Sequence, residues 1–101
     1  MYPRFMDGET ALQKLRASAA ELRDAYGVVG ATLFGSAARG APAPRDLDVA
    51  IEFSGEPDVM ALCGVAGLLT ERLGVDVDVV ARPVKNPSLA KAIADQGLVA
   101  F

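Results

Sequence analysis

Residues 33–48 read Leu-Phe-Gly-Ser-Ala-Ala-Arg-Gly-Ala-Pro-Ala-Pro-Arg-Asp-Leu-Asp, and the fold turns on how that stretch divides. It opens at the end of an apolar run, residues 28–34, whose β-branched members predict a strand buried on both faces. Gly35-Ser36 follows the strand directly, and Arg39-Gly40 comes soon after. Gly permits a close backbone approach, and a turn leading into a short helix offers free N–H groups to a phosphate. Ser36 adds a hydroxyl donor and Arg39 a charged one. Residues 40–44, Gly-Ala-Pro-Ala-Pro, form a loop, because two prolines so close together prevent helix and central strand. Residues 46–53 then alternate strictly. Leu47, Val49, Ile51 and Phe53 share one face of a strand, and Asp46, Asp48, Ala50 and Glu52 share the other.

The flanks supply helices and further strands. Leu12, Leu15, Ala19, Leu22 and Tyr26 recur at spacings of three and four, which predicts one helix over residues 9–26 ended by Gly27. A second helix is expected over 57–73. Pro57 suits its first turn, its core face is Val59, Leu62, Val65, Ala66, Leu69 and Leu73, and Gly74 ends it. Gly64 and Gly67 weaken that helix by about 1 kcal/mol each relative to Ala, so they read as close-packing positions, and Cys63 reads as a core residue. Residues 75–80 alternate again, with Val75, Val77 and Val79 opposite Asp76, Asp78 and Val80. Asn86-Pro87 is an N-cap and N1 pair for a short helix to about Gln96, and residues 98–101 suit a final strand. The result is an α/β (α+β) chain with a small mixed sheet flanked by helices.

Composition narrows the function. The chain has 101 residues, which suits one domain over 1–101. It has no His, which removes His metal sites and Ser-His or Cys-His nucleophilic pairs. A single Cys forms no internal disulfide and suits a reducing, cytoplasmic compartment. A net charge of −3 argues against a non-specific nucleic-acid binder. No run of about 20 apolar residues is present to span a membrane, and the first residues lack the pattern of a signal peptide.

Chemistry concentrates in three places. Gly35-Ser36 ends one strand. Asp46 and Asp48, two apart, project from one face of the next. Asp78, with Asp76 as the neighbouring choice, sits on a third strand of like alternation. Carboxylates gathered on one sheet repel unless a cation lies among them. Magnesium is the natural one, since it takes hard oxygen ligands together with substrate phosphates. Two such ions about 3.5–4 Å apart hold an attacking and a leaving oxygen in line.

Residues 33–40, Leu-Phe-Gly-Ser-Ala-Ala-Arg-Gly, five further residues, and then Asp46-Leu47-Asp48 resemble the signature of minimal nucleotidyltransferases in the DNA polymerase beta superfamily. The third family carboxylate lies in a strand of the form Val-Asp-Leu-Val. Val77-Asp78-Val79-Val80 matches it better than Val75-Asp76, which selects Asp78. Asn86-Pro87 and Gly97-Leu98-Val99 also look like the family's ending, so the resemblance covers nearly the whole chain. Arg45 departs from it, standing where the family usually has Ser.

The resemblance implies a polymerase-beta-like core and an antitoxin paired with a HEPN-domain toxin. Such an antitoxin transfers AMP from ATP to a tyrosine of the toxin. It implies that Gly35 and Ser36 hold the nucleotide phosphates and that Arg39 steadies the loop or a phosphate. Asp46, Asp48 and Asp78 would bind Mg2+, as two ions, and Asp78 would also assist deprotonation of the acceptor hydroxyl. With little room beyond the catalytic sheet, a protein acceptor in a hetero-oligomer is favoured over tRNA or an antibiotic. Two other readings share the motif: an antitoxin that neutralises by binding alone, and a small-molecule nucleotidyltransferase of the aminoglycoside-modifying type.

Overall fold

The alternation at 46–53 forms the central strand that it predicts. In the computed structural model, which describes residues 7–38 and 46–101, the elements run α1 (Gly8–Ala17), α2 (Ala19–Tyr26), β1 (Val28–Phe34), β2 (Asp46–Phe53), α3 (Val59–Leu73), β3 (Asp76–Ala81), α4 (Pro87–Gln96) and β4 (Leu98–Val99). The four strands form one sheet in the order β3-β2-β1-β4. β1 runs antiparallel to β2 and β4, whereas β2 and β3 are parallel. A parallel pair needs a crossover, and α3 supplies it.

The two faces of the sheet are covered unequally. Leu47, Val49 and Ile51 of β2 are buried with Leu33, Val77, Leu15, Leu22, Val65 and Leu69 in one cluster under α1, α2 and α3. Each such side chain contributes about 1.5–3 kcal/mol by leaving water. On the other face Phe34, Ala50 and Ile93 form a smaller cluster beneath α4. Hence Ala50, though it shares the polar face of β2, is fully buried. Asn86 caps α4 by accepting from the Ser88 and Leu89 N–H groups, with Pro87 in the first turn. Gly27 and Gly74 end α2 and α3 in the left-handed region, with φ of 71° and 77°.

Several expectations are corrected. The helix expected over 9–26 is two helices, because Ser18 stands at their junction. Its hydroxyl donates to the Lys14 carbonyl at 2.9 Å, the back-bonding that bends or interrupts a helix. The second helix starts at Val59, two residues later than expected, because the Asp58 carboxylate accepts from the Ala61 N–H at 2.7 Å and sets the N-terminus. Val59 therefore points to solvent, and Cys63, on the outer side of α3, is exposed rather than core. β1 is buried on both faces only from Ala31 onward. Its register with β2 shifts between Val28 and Gly30, and Val29 is turned outward.

The two helix glycines also part company. The Tyr26 ring lies on Gly64, its Cζ and Oη each 2.6 Å from where a Cβ would be, whereas nothing lies within 4 Å of that position at Gly67. Gly67 is thus not a packing position. Gly67→Ala is expected to raise stability by about 1 kcal/mol through helix propensity. Gly64→Ala should lose that gain by displacing Tyr26, and chemical denaturation of the two variants side by side measures the difference.

Candidate active site

The polar face of β2 and the start of β3 meet at one end of the sheet. The parallel register pairs Asp46 with Asp76 and Asp48 with Asp78. Side chains of paired residues lie on the same face, and neighbouring strands are about 4.8 Å apart. Four carboxylates therefore share this end, two on each strand. Asp46, Asp76 and Asp78 are exposed, and Asp48 is half-buried. The Asp46, Asp48 and Asp78 of the sequence reading are thus on one face. Asp76 joins them as a fourth, because its register with Asp46 gives it the same standing on the sheet as Asp78.

The turn after β1 meets this row. Phe34, the last residue of β1, pairs with Asp48, and Gly35 follows with φ of +77°. The Asp48 carboxylate stands against Gly35. A Cβ there would overlap the Asp48 Oδ2 and lie 3.2 Å from its Cγ. Gly35 is required twice over, once by its left-handed backbone and once by the carboxylate in the space of a side chain. The sequence suggested only that Gly lets a phosphate approach. It gave no sign that the nearest approach is to Asp48, since that contact depends on strand register. Ser36, Ala37 and Ala38 continue as a turn. Arg39, the 40–44 loop and Arg45 lie outside the described residues.

The donors here are carboxylates, hard oxygens of the kind magnesium prefers. Among the described residues no three His, Cys, Asp or Glu side chains close around one point as a finished metal site. Magnesium does not need one, as it commonly takes one or two carboxylates and completes its shell with substrate phosphates and water. Asp46, Asp48 and Asp78 offer the hard oxygens that such an ion takes. The acid row also lies apart from two hollows among the described residues, one at the other end of the sheet and one beside α3. No described helix is long and apolar enough to cross a membrane.

Comparison with known proteins bears on the family and the fold. Residues 18–101 match the family model described as polymerase beta, nucleotidyltransferase. A Methanocaldococcus jannaschii protein named as a candidate protein adenylyltransferase is 33% identical over 76 residues, which span 73% of this chain and 78% of that protein. A solved structure of a candidate minimal nucleotidyltransferase superposes with a TM-score of 0.71 at 30% identity, over 92% of this chain and 95% of the other. A toxin–antitoxin structure with AMP-PNP has the same fold, with a TM-score of 0.70 at 24% identity over 85% and 72% of the two chains. So does the complex of a tri-AMPylated Shewanella oneidensis HEPN toxin with an MNT antitoxin, with a TM-score of 0.69 at 21% identity over 93% and 71%.

Proposed function

The chain belongs to the polymerase beta nucleotidyltransferase family, and from that premise we propose that it transfers AMP from ATP to a tyrosine of a HEPN-domain toxin, as the antitoxin of that pair. It works as one minimal domain over residues 1–101, in the cytoplasm where ATP and magnesium are at hand. One observation carries the reading. The acid row stands directly beside the Gly35 turn, with Asp48 touching Gly35 and registered against Asp78. Pure binding of a partner has no use for like charges held side by side, whereas phosphoryl-type transfer does. The likeness to structures whose proteins are an AMPylated HEPN toxin and an MNT antitoxin supports the choice of acceptor.

In this reading Gly35 and Ser36 lie under the nucleotide phosphates. Their turn offers backbone N–H groups, and Ser36 adds its hydroxyl. Arg39 serves the same loop. Asp46, Asp48 and Asp78 hold magnesium, as two ions, which when bound offsets the charge gathering on the phosphates and the pyrophosphate. Asp78, on the open edge strand β3, also faces the acceptor and takes the proton of the tyrosine hydroxyl on a carboxylate oxygen. The tyrosine oxygen forms a bond to the α-phosphorus, the bond from that phosphorus to the bridging oxygen breaks, and pyrophosphate leaves. Because Asp46, Asp76 and Asp78 are exposed, an acceptor side chain carried on a docking protein can reach them.

The test is the intact mass of the toxin co-expressed with this chain or with its Asp46→Asn/Asp48→Asn form. A gain of one or more AMP units only with the intact carboxylates is the expected outcome. No gain, despite a stable complex and a neutralised toxin, would replace the enzyme with an antitoxin that acts by binding.

A further inference from the structure

The opposite end of the sheet carries a surface that nucleotidyl transfer does not use. Two hollows lie where β2 runs into α3. One, of about 670 Å3, has Phe53, Val84 and Ile93 in its lining together with Glu52 and Glu56. The other, of about 700 Å3, runs along Tyr26 and Met60. Pro57 lines the first and Asp58, the next residue along the chain, lines the second. Beside them stand Val59 and Met60, 76% and 80% exposed, the most exposed large apolar side chains among the described residues. Val59 and Met60 are consecutive, so their exposed apolar surface is contiguous rather than scattered, and contiguous apolar surface is what interaction sites use.

The charge at this corner gives the sign of what fits it. Neither Glu52 nor Glu56 forms an ion pair with a described residue. The one cation lining the hollows is Arg82, and its Nη1 donates to the buried Thr32 Oγ1 at 3.4 Å rather than to either glutamate. A second copy of this chain fits poorly, because a two-fold contact would bring Glu52 and Glu56 toward their own equivalents. A nucleic acid has the wrong sign. What matches is a chain segment with apolar side chains on one face and lysines or arginines beside them.

We propose that the β2–α3 corner is a docking surface for a basic, amphipathic segment of a protein partner, whose apolar face covers Val59 and Met60 and whose cations meet Glu52 and Glu56. Asp48 and Phe53 are five residues apart along β2, a rise of about 17 Å. A partner anchored at the corner therefore leaves the acid row open. The surface stands apart from the transfer reaction and does not depend on it.

The probe is a fluorescein-labelled 14-residue peptide of Lys and Leu at helical spacing, titrated with the full chain at 0.15 M salt and read by anisotropy. Two control peptides replace all Leu by Ser or all Lys by Glu. The Lys/Leu peptide is expected to bind and both controls to fail. Glu56→Lys/Met60→Ser should weaken binding about tenfold or more, with Glu52→Gln/Glu56→Gln acting in the same direction. Asp46→Asn/Asp48→Asn should leave it unchanged. Absence of binding by the Lys/Leu peptide overturns the proposal. So does equal binding of the Lys/Ser peptide, which would mean charge attraction alone. Loss of binding in the Asp46→Asn/Asp48→Asn form with retention in Glu56→Lys/Met60→Ser would do the same, by moving the site to the acid row. No nucleotide enters the experiment, so its failure is separate from any failure of AMP transfer.

Discussion

Asp78→Asn is expected to lower AMP transfer about a hundredfold or more and to leave the folded chain as stable as before, or slightly more so. The two halves of the prediction have different sources. Asp78 is exposed on β3 and is registered against Asp48 on β2. Like charges set opposite each other on a sheet cost a few tenths of a kcal/mol to about 1 kcal/mol. Asn keeps the shape of the side chain, removes the charge, and so relieves that repulsion. The same change deprives magnesium of a ligand and the tyrosine of its proton acceptor. Pyrophosphate release with the toxin as acceptor and saturating ATP and magnesium gives the rate, and a thermal melt of the chain alone without either gives the stability. A ligand that binds only the folded state raises the melting temperature, so magnesium with ATP should shift the wild-type chain more than the variant. A drop in stability large enough to account for the lost rate would make Asp78 a structural residue and remove it from the site.

The sequence made the single elements visible and left their mutual register hidden. The period-two pattern at 46–53 sufficed to put Asp46 and Asp48 on one face, because alternation is a property of one strand. Asn86-Pro87 and the terminal glycines Gly27 and Gly74 marked helix ends by local chemistry, and the structure bears them out. Local chemistry also undid one element. Ser18 fits the helical period, yet its hydroxyl competes for the Lys14 carbonyl and divides the helix. Asp76 and Asp78 look alike along the chain. Only the parallel pairing of β2 with β3 sets Asp76 opposite Asp46 and Asp78 opposite Asp48. A shift of one residue in that pairing would change which carboxylates face each other, and nothing in the period of either strand specifies it. Cys63 and Val59 face water, against the helical pattern, for a related reason. The apolar residues of α3 run round more of the helix than one buried stripe requires, and only the packed structure says which of them face water.

Gly35→Ala is expected to cost both stability and nearly all transfer activity, and Gly74→Ala is the variant that shows why. Both residues have φ of +77°. An L-residue pays about 1–2 kcal/mol to adopt that conformation, so both variants should lose at least this much in chemical denaturation. Beyond it their surroundings differ. Nothing lies within 4 Å of a Cβ at Gly74, whereas one at Gly35 runs into the Asp48 carboxylate. The extra methyl must push Asp48 aside or move the turn, and each response separates the turn from the acid row. Gly74→Ala should therefore keep full transfer activity per folded molecule. Gly35→Ala should lose nearly all of it, with a further loss of stability beyond that of Gly74→Ala. Ser36→Ala completes the comparison. It removes one hydroxyl without changing the backbone, so it should raise the ATP concentration needed for half-maximal rate while leaving stability unchanged. If Gly35→Ala and Gly74→Ala behaved alike in both measurements, the contact between Gly35 and Asp48 would have no part in the chemistry, and the turn would have to act on the nucleotide without the carboxylate at its side.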